Sequence, residues 1–188
     1  MGTHLTGLSA RLVVALSATA QRAIDLATPN AKIGLERVID FAFGAGAEKA
    51  DLLWWDRRPI AKGADDDLKL TGVLVDGFGE TLSFGLVKAI LVVNRSDEAT
   101  AGAGVGGADH PATDAKIRIG GAASAEFQGP FAAAGDAIVV PAGGAFTIFC
   151  RGLGDWMVTP TLVDVLGVTD LDADDEALYD IVLLGESA

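Results

Sequence analysis

Apolar and polar residues alternate along this chain in short segments, a pattern that is typical of β-strands with one buried face. The strongest segment runs from Thr81 to Ser96 and reads TLSFGLVKAILVVNRS. Its central VKAILVV carries Lys88 as the one charged residue and is followed by the turn-forming Asn94-Arg95-Ser96. Because an apolar, β-branched run of this kind needs cover on both sides, it predicts the central strand of a sheet.

About ten such segments follow one another at spacings of roughly 8–12 residues, and turns rich in Gly, Pro and Asp separate them. This arrangement predicts an all-β fold, an antiparallel β-sandwich or jelly-roll-like domain over residues 31–188. Surface loops are expected at 96–114 and 169–176. The alternation of residues 31–43 slips near Arg37-Val38, which predicts a β-bulge there. The shorter strands are expected at 116–119, 137–141, 145–150, 156–159, 164–168 and 177–184.

Residues 1–30 precede this domain, and we interpret them as a separate arm. The leucines of the arm recur at spacings of three to four residues with Arg11 on the opposite face, which favours a short amphipathic helix. The sequence RLVVAL within the arm is also rich in β-forming residues, so a strand remains an open alternative. Thr28-Pro29-Asn30 ends the arm as a turn. We expect the apolar face of the arm to bind a partner through Leu5, Leu8, Leu12 and Leu16.

Two adjacent tryptophans, Trp54 and Trp55, lie in the segment ADLLWWDRRPI, which is predicted to be a strand. Successive side chains of a strand point to opposite faces of its sheet. One indole therefore enters the core and the other faces outward, where it is available to a neighbouring subunit. We add both tryptophans to the arm leucines as candidate interface residues.

Composition and charge exclude several classes of function. Half of the 188 residues are apolar but only 6% are aromatic, which suits closely packed strands and subunit contacts better than a deep ligand pocket. The net charge of −12 opposes direct binding of nucleic acid. No apolar run approaches the ~20 residues of a membrane-spanning helix, and no signal peptide is evident. We therefore expect a soluble protein that contacts neither nucleic acid nor membrane.

Glycine and acidic motifs in the loops do not have the context that their chemistry needs. Gly102, Gly104 and Gly107 match G-x-G-x-x-G, but the required strand-to-helix junction is missing. Asp170, Asp172 and Asp174 resemble the start of an EF-hand loop. That loop also needs a glycine where Asp175 stands and a glutamate where Ile181 stands. A looser calcium site remains open there or at Asp65-Asp66-Asp67, and we predict no metal and no cofactor.

Residues suited to nucleophilic catalysis are few and poorly placed. His4 lies in the arm and His110 in the long loop, so neither belongs to a predicted strand on which a carboxylate and a nucleophile could orient it. Cys150 ends an apolar segment, where a buried thiol behaves as a small hydrophobic residue. The sequence therefore predicts a protein that is not an enzyme and has no catalytic residues.

From about Asp67 onward, several motifs occur in a characteristic order. They are Thr81-Leu82-Ser83-Phe84 with Val87-Lys88-Ala89-Ile90-Leu91-Val92, Ile119-Gly120-Gly121-Ala122-Ala123-Ser124 with Phe127 and Phe131, Val139-Val140-Pro141-Ala142-Gly143-Gly144, Trp156 before Asp164-Val165-Leu166, and Tyr179-Asp180-Ile181-Val182-Leu183-Leu184-Gly185 with Ser187-Ala188. Together these motifs resemble small virion structural proteins of tailed bacteriophages, of the head decoration, cement or head-fibre-base type, over roughly two-thirds of the chain. Insertions at 99–114 and 170–176 depart from the pattern of that group.

The resemblance implies a capsid-associated decoration or cement protein that stabilises the head by binding the assembled shell. Its partners would be the major capsid protein and further copies of itself, with a trimer favoured. Its location would be the virion capsid, assembled in the cytoplasm of a host bacterium. Two alternatives remain open: a carbohydrate-binding β-sandwich module with a tryptophan as sugar platform, and a head-completion or tail-tube subunit.

Overall fold

A computed structural model describes residues 7–21, 30–99, 111–122, 124–131, 133, 135–151 and 156–188. Within these ranges the chain forms strands and no helix. In chain order the strands are β1 (Ala10–Gln21), β2 (Asn30–Phe43), β3 (Lys49–Ala50), β4 (Leu52–Ile60), β5 (Asp65–Lys69), β6 (Thr71–Val75), β7 (Thr81–Asn94), β8 (Ile117–Gly120), β9 (Ala137–Val140), β10 (Ala145–Phe149), β11 (Val165–Asp170) and β12 (Ala177–Ser187).

Two antiparallel sheets pack face to face and form the body of the molecule. The first has the order β10-β7-β12-β4, and β6 also pairs with the start of β7. The second has the order β5-β11-β8-β9. Their inner faces share one hydrophobic cluster, in which Ile90 and Leu183 of the first sheet meet Ile117 and Val168 of the second. The predicted all-β, sandwich-like fold is therefore confirmed.

Strand β7 lies at the centre of the first sheet, as its sequence predicts. It pairs with β12 along one edge, and β10 and β6 pair with different parts of the other edge. Ile90 and Val92 point inward and are fully buried, whereas Leu91 and Val93 point to the outer face and are half-buried. The continuous apolar run is thus explained by cover on both sides of the sheet.

Strands β1 and β2 form a long hairpin outside the two sheets of the body. They pair in one unbroken register from Ala10 opposite Phe41 to Gln21 opposite Asn30. The open alternative of a strand is confirmed for the arm over Ala10–Gln21, where the favoured helix is wrong. The bulge expected near Arg37-Val38 is also wrong, because the register of β2 is unbroken there. A weak helical spacing is overridden because a second alternating segment supplies a ladder partner for β1.

The base of the hairpin rests on the outer face of the first sheet. Ile39 and Phe41 of β2 are buried in a small cluster with Ala50 and Leu184. Leu8, Ala10, Leu53, Ala89 and Phe149 pack around this cluster. The predicted boundary at residue 30 falls between β1 and β2, so the structure links the arm to the first strand of the predicted domain. A further strand expected at 156–159 is absent from the described part of this segment, where Met157 and Thr159 make isolated bridges.

Candidate interaction surface

The hairpin of β1 and β2 has one apolar face and one polar face. Residues directly opposite each other in an antiparallel ladder point to the same side. Leu12 therefore shares a face with Ile39, and Leu16 shares that face with Leu35. Arg37, opposite Val14, is the one charged residue among the described positions of this face. We define the apolar hairpin face as Leu12, Val14, Leu16, Ile33, Leu35, Ile39 and Phe41.

Only the base of the apolar hairpin face is covered by the described remainder of the chain. Ile39 and Phe41 are buried, and Leu12 is half-buried. Toward the far end of the hairpin the exposed fraction is 61% for Leu16, 65% for Ile33 and 69% for Leu35. A contiguous apolar strip of this kind is rare on a monomeric protein unless it binds something. The far half of the face is therefore a candidate interaction surface.

The opposite face of the hairpin is mainly polar, although Val13 and Val38 lie opposite each other on it and are exposed. Arg11 donates to both carboxylate oxygens of Asp40, from Nε at 2.6 Å and from Nη2 at 3.2 Å. The hydrogen bond from Arg11 lowers the pKa of the Asp40 carboxyl group. Ser17 and Gly34 are opposite each other farther along and are exposed. An exposed ion pair contributes little to stability, so this face gives the hairpin solubility more than strength.

A second apolar strip lies on the outer face of the first sheet, one step along the strands from the hairpin base. Leu91, Val182 and Trp55 are directly opposite one another on β7, β12 and β4. Leu91 and Val182 are half-buried and Trp55 is 54% exposed. We call these three residues the outer row. An apolar cleft of about 160 Å³ lies between Leu91 and Val182 of this row and Leu12 and Phe41 of the hairpin.

A buried ion pair ties the hairpin base to the first sheet. Lys88 Nζ lies 2.9 Å from Glu186 Oε1, and both side chains are almost fully buried. The backbone N–H of Gly46, in the turn between β2 and β3, donates to the same oxygen at 2.9 Å. The pair lies beside an irregularity of the β7–β12 ladder between Leu184 and Gly185. Lys88 compensates the buried charge of Glu186 within the first sheet, and the hydrogen bond from Gly46 to this carboxylate helps to fix the position of the hairpin base.

The structure separates the two tryptophans as predicted. Trp54 is 4% exposed and belongs to the core between the sheets, whereas Trp55 faces outward. Burial removes Trp54 from the candidate interface, because no partner can reach its indole. One side of Trp55 is close to the turn after β6, since a methyl group added to Gly77 would lie 3.1 Å from the indole Cη2.

The predicted leucines of the arm have different positions. Leu5 lies outside the described residues. Leu8 is half-buried beside the cluster at the hairpin base, and Leu12 and Leu16 lie on the apolar hairpin face. The sequence reasoning missed the exposed partners of these leucines on β2, Ile33 and Leu35, because it placed that strand in the sandwich. A turn signal between two alternating segments is the signature of a hairpin, and Thr28-Pro29-Asn30 provides it.

The acidic segments have structural roles where they are described. Asp66 accepts hydrogen bonds from Arg58 Nε and, at 2.7 Å, from the Tyr179 hydroxyl. The Asp172 carboxylate accepts hydrogen bonds from the backbone amides of Asp174 and Asp175 and so closes the turn before β12. Carboxylate oxygens of Asp114, Asp172 and Asp175 lie within 4.8 Å of one another. This group shares only Asp172 with the predicted trio, and it differs from the EF-hand arrangement.

Two further candidates fall outside the described residues, namely the Gly102–Gly107 motif and the histidines His4 and His110. No protein-family model matches the chain, and no curated protein matches it either. Among the residues that the structure describes, no helix is long and apolar enough to cross a membrane.

Proposed function

We propose that the chain is a virion structural protein of a tailed bacteriophage, a decoration or cement protein that binds the assembled head shell. The observation that carries this proposal is the apolar hairpin face, which extends beyond its own body and ends without a partner in the described chain. The resemblance of the motifs to small phage virion proteins is the reason for proposing a phage head as the assembly that is bound.

Adhesion follows from the energetics of the hairpin. A two-stranded hairpin without further cover is marginally stable in water. Covering Leu16, Ile33 and Leu35 would stabilise it by ~1.5–3 kcal/mol for each side chain that becomes fully buried. The hairpin is therefore more stable in an assembly than alone. A protein that binds only the assembled shell stabilises that shell by RT ln(1 + c/Kd), where c is its free concentration, so the stabilisation grows with the logarithm of its concentration relative to Kd.

The charge of the molecule is compatible with a place on a virion surface. With a net charge of −12, the molecule repels the phosphate backbone of nucleic acid and other acidic particles. Such a surface keeps decorated particles apart while the apolar hairpin face supplies the contact. Binding thus depends on the apolar hairpin face, whereas the net charge repels any other acidic molecule.

The test uses shells of the phage that encodes the chain, prepared without this protein. We expect the wild-type protein to pellet with intact shells, to leave free capsid protein unbound, and to raise the temperature at which shells break. Leu16→Asp should lose binding, whereas Ser17→Asp, which puts the same charge on the polar face, should retain it. Failure of the wild-type protein to bind shells would overturn the proposal, and labelling confined to the tail or the head vertex would favour the head-completion or tail-tube alternative.

A carbohydrate-binding module is the second candidate, because Trp55 is exposed and Phe78, which follows Gly77 in the turn beside the indole, is exposed as well. A sugar ring would stack on the free side of the Trp55 indole. Glycan-array binding that is lost in Trp55→Ala and kept in Leu16→Asp would support this candidate. Shell binding with the opposite dependence on Leu16 would support the decoration protein.

A further inference from the structure

We infer that the apolar hairpin face of one copy binds the outer row, Leu91, Val182 and Trp55, of a second copy of the same chain. The inference deepens the proposed function and rests on it, because it names the first partner of the same hairpin surface. The contact is head-to-tail: one copy gives its hairpin, and the next copy gives its sheet.

The first argument is continuity with a contact that already exists within the chain. The hairpin base packs on Leu53, Ala89 and Leu184 of the outer sheet face. The outer row follows these residues by one step along β4, β7 and β12 and is the same kind of surface. A second hairpin lying beside the first would therefore meet a surface of the same kind as the one that the hairpin base already contacts.

The second argument is that the outer row is open on the side of the hairpin. The apolar cleft of about 160 Å³ between Leu12 and Val182 is lined almost entirely by carbon atoms. A cavity of this size in an apolar setting holds a group as large as benzene. An isoleucine or leucine side chain from the far end of a second hairpin would fill the cleft and contact Leu91 and Val182, and Trp55 lies directly opposite Val182 on the next strand.

The third argument is that the hairpin lacks the like-charge repulsion that acts between two bodies. Residues 10–43 contain four Lys or Arg and three Asp or Glu, whereas the rest of the chain contains 10 and 23. The hairpin is thus slightly basic on a strongly acidic body. It is the part of one copy that can approach the body of another without repulsion between like charges. A partner with an unrelated acidic surface would satisfy the charge but would not supply the matching apolar row.

The experiment measures self-association of the full-length protein without shells, by analytical ultracentrifugation at tens of micromolar. We expect wild type to sediment as an oligomer. Leu16→Asp on the hairpin and Trp55→Asp on the outer row should each weaken association at least tenfold and yield monomers. The matched controls are Ser17→Asp on the polar hairpin face and Val139→Asp on β9 in the other sheet, and both should remain oligomeric.

A mixture of the two monomeric variants tests the direction of the contact. Trp55→Asp keeps an intact hairpin and Leu16→Asp keeps an intact outer row, so an equimolar mixture should form a heterodimer and no larger species. A head-to-tail contact predicts this rescue, whereas a contact between two hairpin faces predicts none. Leu35→Asp should reproduce Leu16→Asp, and thermal melts near the wild-type value would show that the variants are folded.

The outcomes separate this inference from the proposed function. A wild-type monomer, an unaffected Trp55→Asp, or no heterodimer would overturn the inference. If such a protein still pellets with shells, the proposed function stands and its hairpin binds capsid protein directly. An oligomer with the expected variants that fails to bind shells would keep the inference and overturn the function.

Discussion

At the scale of single residues, a polar network crosses from the first sheet to the second. The Tyr179 hydroxyl on β12 donates to Asp66 on β5, and Arg58 on β4 donates to the same carboxylate through Nε and Nη2. The Tyr179 side chain is buried, so its hydroxyl needs this partner. The network thus joins three strands at a point where an unpaired group would be costly.

We predict that Tyr179 resists ionisation in the folded protein. Burial, and then the negative charge of Asp66, raise the pKa of this hydroxyl above its ordinary value of 10.0. The folded-state pKa therefore exceeds the unfolded one, so the stabilisation is complete below about pH 10 and is lost as the pH rises further. Tyr179 is the single tyrosine of the chain, which makes tyrosinate absorbance a direct readout. Ionisation of the folded protein near pH 10 would contradict this expectation.

The buried pair of Lys88 and Glu186 gives a second prediction at this scale. Lys88→Met should destabilise the fold by about 3–5 kcal/mol, because it leaves the carboxylate buried and without its counter-charge. The double variant Lys88→Met with Glu186→Gln should be more stable than Lys88→Met alone, since Gln can still accept from Gly46. Urea unfolding measures both free energies. A double variant no better than Lys88→Met would show that the charge is not the cause.

At the scale of elements, two adjacent residues of β7 differ in burial, although both belong to the same apolar run of the sequence. Ile90 faces the core between the sheets, whereas Leu91 faces the half-covered outer side. Ile90→Ala should cost ~2–5 kcal/mol of unfolding free energy, and Leu91→Ala about 1–2 kcal/mol. Chemical denaturation of the monomeric Leu16→Asp background avoids a contribution from self-association. Equal losses would mean that the outer side is covered as fully as the core.

The hairpin shows why sequence reasoning succeeded in part. Alternation identifies strands, so β2, β4 and β7 are predicted close to their observed bounds. Alternation does not identify what covers the apolar side, because Ile33 and Leu35 have the same pattern whether their own chain or another copy packs on them. For a related reason the arm favours a helix in the sequence while a strand remains open: a spacing of four residues, as between Leu12 and Leu16, places two side chains on one face of a helix and also on one face of a strand.

The same limit applies to the buried charges. Lys88 interrupts an apolar run in the sequence, and nothing in its neighbourhood indicates that its partner is Glu186, almost at the other end of the domain. Which two charged residues pair across such a long stretch of chain depends on the order of the strands in the sheet. The sequence predicts the strands better than it predicts their order.

At the scale of the whole molecule, charge and apolar surface are divided between the body and the hairpin. Copies with a net charge of −12 repel one another at long range, and that repulsion is screened within about 10 Å at 0.1 M salt. We therefore predict that self-association strengthens as salt rises from low to physiological concentration. Sedimentation across a salt series measures this effect. Dissociation by salt would indicate an interface dominated by ion pairs and not by the apolar hairpin face.

The position of β12 also constrains the order in which the molecule can be completed on the ribosome. β12 lies between β4 and β7, although both of these precede it by a long stretch of chain. At a synthesis rate on the order of 5–20 residues per second, the two strands wait for several seconds with open edges. By contrast, β1 and β2 are neighbours in the chain and can pair at once. The apolar strands of the hairpin are thus synthesised before Ala89 and Leu184, which cover their base in the finished fold, and the unfinished chain exposes this apolar surface together with the open edges of β4 and β7.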